Sequence, residues 1–123
     1  MIKTRTFVLA VAFSLVGCES KEGGSNTTVA APQPASAAEV AAYESAKPLL
    51  QQNCLICHST KPAMPGYRVA PAGVVLETPE QLRRFAPRVL AMVELQQMPP
   101  LNMTSMSSDD RRRLAATVRT QWP

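Results

Sequence analysis

The feature that most constrains this 123-residue chain is the run Cys54-Leu55-Ile56-Cys57-His58. Two thiols three positions apart match the spacing of the two haem vinyl groups and can form a thioether bond with each, while the adjacent imidazole can bind the iron. A small domain that folds around so large an apolar group gains much of its core from it. We therefore predict one covalent haem c, attached through Cys54 and Cys57, with His58 as an axial ligand.

Two other kinds of site use the same residue types. A redox-active C-x-x-C pair of the thioredoxin type lies in a βαβ context, which this sequence lacks. A closed zinc site needs four nitrogen or sulfur ligands, and Cys54, Cys57 and His58 are one short unless Cys18 is the fourth. Haem attachment is the better interpretation.

The amino-terminal residues have the pattern of an export signal. Two basic residues precede an apolar run over residues 7–16, which is shorter than the about 20 residues that a membrane-spanning helix needs. Residues 15–18 resemble the lipobox of bacterial lipoproteins, in which Cys18 becomes the lipidated first residue. The alternative is an ordinary secretory cleavage site that leaves an unpaired cysteine, a liability in an oxidising compartment. We expect residues 1–17 to be a lipoprotein signal peptide that is removed.

By this resemblance, acyl chains on Cys18 anchor the protein to a membrane, and each buried methylene contributes about 0.8 kcal/mol. Glu19, and not an aspartate, follows the cysteine, which by similarity to lipoprotein sorting favours the outer membrane. Residues 18–38 comprise the lipidated cysteine and a stretch rich in small and polar residues, which cannot bury a core and is typical of a flexible linker. The folded domain is then residues 39–123, on the periplasmic side.

The pattern of residues 39–123 predicts helices and no strands. A first helix is expected from Glu39 into Cys54, interrupted or restarted at Pro48, because proline is tolerated mainly near a helix start. After His58, prolines and glycines prevent a regular pattern of backbone hydrogen bonds, and we expect this irregular segment to wrap the haem.

Two further helices have clear start signals. Thr78 and Gln81 form a capping box around a proline at the first helical position, and Ser107 or Ser108 begins the last helix. Inward-facing residues follow each start at helical spacing, namely Leu82, Phe85, Val89, Met92 and Val93 in one helix and Leu114 and Val118 in the other.

The choice of the second axial ligand is limited because the sequence has a single histidine. Because His58 has no second histidine to pair with, the other position belongs to a methionine, another weak donor, water or nothing. Met98 precedes two prolines that favour an extended, rigid backbone, and we expect it to be the ligand. Met103 and Met106 are the alternatives, unless all three only pack against the porphyrin. Met92 is one of the inward-facing residues of the second helix, which together form its inward stripe, and is expected in the core.

These elements resemble a class I cytochrome c in their order: helix, C-x-x-C-H, wrapping loop, helix, Met-Pro and terminal helix. A closer resemblance, over about 75 residues, is to the cytochrome c domain that ends the bacterial membrane-integral urate oxidases. The matching positions are residues 57–62, 65–66, 70–74, 77–80 and 98–99, with Asn102 and Met106. The resemblance implies an all-α fold of three to five helices around one haem, with His58 as proximal ligand and Met98 as sixth ligand.

The chain also departs from that family. Thr117 stands where such domains have an aromatic residue on the terminal helix, so Trp122 becomes the candidate for contact between the first and last helices. The multi-span catalytic half is missing, and the resemblance therefore implies electron transfer and not urate oxidation.

The formal charge of +4 falls to +2 without the basic residues of the signal, and two haem propionates would bring it near zero. Arg83, Arg84 and Arg88 on one helix and residues 111–113 on another form either a basic face for an acidic redox partner or ordinary solvated helix surfaces. An exported chain has no nucleic acid to bind.

The sequence thus predicts a lipid-anchored monohaem electron carrier, not an enzyme, which exchanges electrons with redox partner proteins as a monomer or as a subunit of an oxidoreductase complex. The alternatives are a detached cytochrome subunit of a membrane oxidoreductase, and a peroxidase-like haem enzyme or ligand sensor with a displaceable sixth ligand. The last would need polar groups beside the iron, for which Tyr67 and Arg68 are candidates.

Overall fold

The computed structural model describes residues 33–123; the expected signal peptide, Cys18 and most of the expected linker lie outside it. The described residues form an all-α fold without strands, as the sequence predicts. The helices are α1 (Ala37–Asn53), α2 (Pro79–Glu94) and α3 (Ser108–Gln121), with single 3₁₀ turns at Pro71–Gly73 and Pro100–Asn102. None of these helices has the length and hydropathy that crossing a bilayer requires.

The first helix begins two residues before residue 39, where the sequence placed the start of the domain. Ser36 is its N-cap, because the Ser36 hydroxyl accepts from the Glu39 N–H at 3.2 Å and the Glu39 carboxylate accepts from the Ser36 N–H at 2.8 Å. The N–H of Ala35 also donates to the Glu80 carboxylate of α2 at 2.8 Å. The last residues assigned to the linker are therefore bound to the domain.

The first helix is also continuous across Pro48, where the sequence predicted an interruption or a restart. Proline lacks the N–H that would bond to the carbonyl of Glu44, four residues earlier. Both residues are exposed, so water can solvate that carbonyl, and the helix continues. Pro87 occupies an equally exposed position inside α2.

The predicted starts of the other two helices are confirmed. The Thr78 hydroxyl accepts from the Gln81 N–H at 3.3 Å and the Gln81 side chain accepts from the Thr78 N–H at 3.0 Å, which completes the capping box of α2. Ser107 is the N-cap of α3 and accepts from the Asp110 N–H at 3.1 Å. Local capping chemistry therefore determines where both helices begin.

The three helices share one hydrophobic core, in which α3 packs against both α1 and α2. The largest side chains that are fully buried in it are Leu50, Leu82, Leu114 and Val118. Val74 and Leu76, from the irregular segment between α1 and α2, belong to the same core. The segment that follows the C-x-x-C-H run is thereby fixed against the helices.

The carboxylate of Glu39 links all three helices at the end of the bundle. It accepts from Trp122 Nε1 at 2.9 Å and from Arg83 Nη1 at 3.1 Å, in addition to the Ser36 N–H. The expectation that Trp122 joins the first and last helices is thus confirmed. The Ser36 N–H, then the Trp122 indole and, less strongly, the Arg83 charge lower the pKa of Glu39 from 4.5 to about 2.

This carboxylate predicts a specific acid sensitivity. Because the pKa of Glu39 is lower in the folded protein, its contribution to stability is complete above pH 4.5 and is lost as the pH falls towards about 2. Glu39→Gln should lower the melting temperature at pH 7, and its difference from wild type should shrink between pH 4.5 and 2. Thermal unfolding followed by circular dichroism measures this, with Glu44→Gln, an exposed surface pair with Lys47, as control. A constant difference at every pH would contradict the assignment.

Candidate haem site

A largely apolar cleft opens beside the C-terminal end of α1. Its walls are the C-x-x-C-H run, the 3₁₀ turn at Pro71–Gly73 with the residues after it, the inward stripe of α2, and residues 98–104. The space between these walls, counted to the open mouth, is about 800 Å³. The four residues that the sequence assigned to the haem, Cys54, Cys57, His58 and Met98, all line this cleft.

The C-x-x-C-H run follows α1 as a series of tight turns. The Cys54 N–H donates to the Leu50 carbonyl at 2.8 Å, and the Cys54 carbonyl accepts from the N–H groups of Cys57 at 3.1 Å and His58 at 2.8 Å. These bonds extend the helical hydrogen-bonding pattern past Asn53 and place both thiols and the imidazole along one wall of the cleft.

The ring of His58 is oriented by the segment that follows it. Its Nδ1 lies 2.9 Å from the carbonyl oxygen of Val74, which can only accept, so in the neutral ring Nδ1 has the proton and Nε2 has a free lone pair. The Leu76 N–H donates back to the His58 carbonyl at 2.9 Å, and the buried Tyr43 hydroxyl donates to the Leu76 carbonyl at 3.0 Å. A metal-ligating histidine is normally oriented by such a hydrogen bond at its other nitrogen.

The environment of Cys54 suits an uncharged sulfur. Burial, and then the neighbouring Cys57, raise the pKa of the Cys54 thiol to about 12. A thioether is uncharged as well, so this apolar wall fits the attachment of a haem through Cys54.

The structure separates Met106 from the other two candidate ligands. Met98, which is 37% exposed, and Met103, which is 51% exposed, both line the cleft, whereas Met106 is 4% exposed and belongs to the hydrophobic core. Met92 was expected in the core but is half-buried and lines the cleft, because the inward stripe of α2 faces the core on one side and the cleft on the other.

Residues 98–104 are attached to both sides of the cleft. The Met98 N–H donates to the Met92 carbonyl at 3.1 Å, at the end of α2. The Thr104 hydroxyl donates to Asn53 Oδ1 at 2.6 Å, and the Asn53 amide donates to the Leu49 carbonyl at 3.0 Å within α1. Hydrogen bonds thus connect the Met98 segment with the residue that immediately precedes Cys54.

Polar side chains are few in the cleft. Tyr67 and Arg68, the candidate distal groups for a haem enzyme, are exposed and do not line it. Asn53 and Thr104 already bond to each other. Arg88 lines the cleft and makes no ion pair with any carboxylate of residues 33–123, so its charge is available to an anionic group of a ligand.

The six arginines that the sequence left as either a basic face or ordinary solvated helix surfaces do not share one environment. Arg83 pairs with Glu39, Arg112 with Asp109 and Arg113 with Asp110. Arg111 is buried, and its guanidinium donates to the Met98 carbonyl at 2.6 Å and to Asn102 Oδ1 at 2.8 Å. Of the six, only Arg84 and Arg88 are exposed and make no ion pair with a carboxylate of residues 33–123.

The contact of Arg111 with the Met98 segment was not inferred from the sequence, although a signal for it exists. Arg111 precedes Leu114 by three residues and Val118 by seven, the spacing of one helix face. Its position on the buried stripe of α3 therefore distinguishes it from its two exposed neighbours.

Comparison of the chain with known protein families, with curated proteins and with solved structures finds no match. Within residues 33–123, no three histidine, cysteine, aspartate or glutamate side chains converge on a position for a metal ion. Function is therefore inferred from the residues of the cleft.

Proposed function

We propose that this protein is a lipid-anchored monohaem c-type cytochrome, with the class I fold, that transfers single electrons between redox partner proteins. The observation that supports it most directly is that Cys54, Cys57, His58 and Met98 line one apolar cleft, with the free Nε2 of His58 available as a ligand. A haem bound there supplies one-electron chemistry by changing its iron between the ferric and ferrous states.

The chain's own residues have distinct roles in this proposal. Cys54 and Cys57 would attach the haem covalently, while His58 and Met98 would be its axial ligands. The apolar side chains of α2 and of the segment after His58 that line the cleft would shield a bound haem from water. Arg88 suits the propionates, because it is a cation in the wall without an ion-pair partner among the described residues.

Rigidity of both ligand segments favours electron transfer over substrate chemistry. Val74 orients His58, and Met92 and Asn53 connect the Met98 segment to two helices. Ligands that stay in place in both oxidation states keep the reorganisation that accompanies each electron small. A thioether also stabilises ferrous iron more than a second imidazole does, so the potential should exceed that of a bis-histidine relative.

We further propose that Cys18 is acylated after removal of residues 1–17, which would place the domain at the periplasmic face of a membrane, with the outer membrane favoured by Glu19. The domain would act as a monomer or as the cytochrome subunit of a membrane oxidoreductase.

Mass spectrometry of the mature protein tests both parts of this proposal together. The intact, unfolded chain should retain the mass of one haem, and the peptide that begins at Cys18 should have acyl groups. A variant with both Cys54→Ala and Cys57→Ala should lose its haem completely when unfolded in acid and organic solvent, because only axial bonds would remain. A wild-type chain that releases its haem under the same conditions would contradict covalent attachment.

A further inference from the structure

We infer that Arg111 is a positioning residue that keeps Met98 in the wall of the cleft and thereby makes the sixth iron ligand resistant to exchange. The inference rests on the proposed function, since it assumes that Met98 binds the haem iron. Arg111 does not line the cleft itself. It acts from α3, behind the Met98 segment.

The contacts of Arg111 all lead to that segment or to the helix end from which it emerges. The guanidinium donates to the Met98 carbonyl at 2.6 Å, to Asn102 Oδ1 at 2.8 Å and, weakly, to the Val93 carbonyl at 3.4 Å. The Asn102 amide in turn donates to the Met106 carbonyl at 3.2 Å. One planar group thus bonds to both ends of the turn that follows Met98, a task for which the fixed fork of arginine is well suited.

The burial of Arg111 indicates that this contact is specific. Arg111 is 9% exposed and forms no ion pair with a carboxylate of residues 33–123, unlike Arg112 and Arg113 beside it. Removing a guanidinium from water is unfavourable unless hydrogen bonds compensate. Here carbonyl and amide oxygens provide that compensation, and the negative C-terminal end of α2 favours the cation.

The Met98 segment needs such support because its backbone is unfavourable for its residue types. Between residues 96 and 105, four residues other than glycine have left-handed φ angles, and three of them, Gln96 at 55°, Leu101 at 52° and Ser105 at 57°, are residue types that rarely adopt this conformation. Such conformations persist only where surrounding contacts impose them. With the Met98 N–H bonded to the Met92 carbonyl, the Arg111 bond occupies the remaining main-chain polar group of Met98.

Imidazole binding to the ferric, haem-loaded protein tests the role of Arg111, because imidazole must displace Met98 to reach the iron. Arg111→Met should tighten apparent imidazole binding about tenfold or more, since a charge-assisted hydrogen bond no longer opposes the displacement. It should also weaken the long-wavelength absorption band that a thioether gives ferric haem. Arg113→Met, at an exposed position on the same helix, is the matched control and should leave both unchanged.

The same substitution in a Met98→Ala background separates positioning from general stability. With no thioether to displace, Arg111→Met should then change imidazole affinity less than about twofold, while any loss of thermal stability should persist in both backgrounds. Equal effects in the two backgrounds, or none in either, would overturn the inference. If Arg111→Met does not fold, Asn102→Ala removes one acceptor of the guanidinium instead. It should tighten imidazole binding by a smaller factor, and only while Met98 is present. An Asn102→Ala protein that binds imidazole as wild type does would overturn the inference.

The imidazole affinity of Met98→Ala shows whether the proposed function or only the role of Arg111 is wrong. If Met98→Ala alone left imidazole affinity unchanged, Met98 would not be the ligand, and the positioning role would fall with it. If Met98→Ala tightened imidazole binding but Arg111→Met did not, only the role of Arg111 would be wrong.

Discussion

Met98→Ala is expected to convert the haem-loaded protein almost completely from a six-coordinate, low-spin spectrum to a high-spin one. The thioether of Met98 is the strong-field partner of His58 in the proposed site, and alanine leaves the sixth position to water or to nothing. Optical spectra of the ferric and ferrous protein measure the change. The reduction potential should fall as well, because the thioether stabilises ferrous iron.

Two other methionines provide the controls for this result. Met103 lines the same cleft but is 51% exposed, and Met106 is buried in the core at 4% exposure. Met103→Ala should retain the low-spin spectrum, and Met106→Leu should retain it with some loss of stability. A Met98→Ala protein with an unchanged low-spin spectrum would contradict the assignment, and a high-spin Met103→Ala protein would transfer the role to Met103.

The sequence predicted those parts of the fold that depend on local chemistry. Thr78 with Gln81, and Ser107 with Asp110, determine helix starts through side chains a few residues away, and both starts were found where they were expected. Ser36 and Glu39 form the same motif ahead of α1, but the polar, alanine-rich surroundings led us to assign them across a linker boundary. The capping rule therefore applies to the start of α1 as well.

Other features depend on tertiary contacts that no local pattern reveals. Pro48 lies inside α1 because its face of the helix is exposed, which only the packing of the domain determines. The left-handed φ angles of Ala72 and Leu101 are unfavourable for these residue types and follow from their surroundings. The burial of Arg111 likewise depends on carbonyl groups contributed by α2 and by the turn after Met98.

In the candidate site, too, some features follow from local sequence and others from tertiary contacts. The spacing within residues 54–58 predicted which side chains belong together, and the structure places all of them in one cleft with Met98. The hydrogen bonds that orient them come from distant residues, including Tyr43 through Leu76 and Thr104 to Asn53. The sequence therefore predicted which residues share the cleft, whereas the hydrogen bonds that orient them follow only from the fold.

Trp122→Ala is expected to have the largest effect on stability. Trp122 is 7% exposed, and its indole donates to the buried Glu39 carboxylate at 2.9 Å. The substitution removes a large aromatic side chain from the contact between α1 and α3, which typically costs about 3–5 kcal/mol, and leaves Glu39 without one donor. Because a domain of this size is stable by roughly 5–15 kcal/mol in total, unfolding should occur at much lower denaturant concentration.

Trp122→Phe separates the loss of buried apolar volume from the loss of the hydrogen bond to Glu39. Phenylalanine retains most of the buried apolar volume but cannot donate to Glu39, which still accepts from Arg83 and from the Ser36 N–H, so its cost should be clearly smaller than that of alanine. Denaturant unfolding of the haem-loaded protein measures both variants. Trp122 and Glu39 do not line the cleft, so each folded variant should keep the low-spin spectrum of wild type. Loss of that spectrum in a folded Trp122 variant would mean that the bundle end and the cleft are coupled, whereas its retention would separate the residues that stabilise the fold from those that hold the ligands.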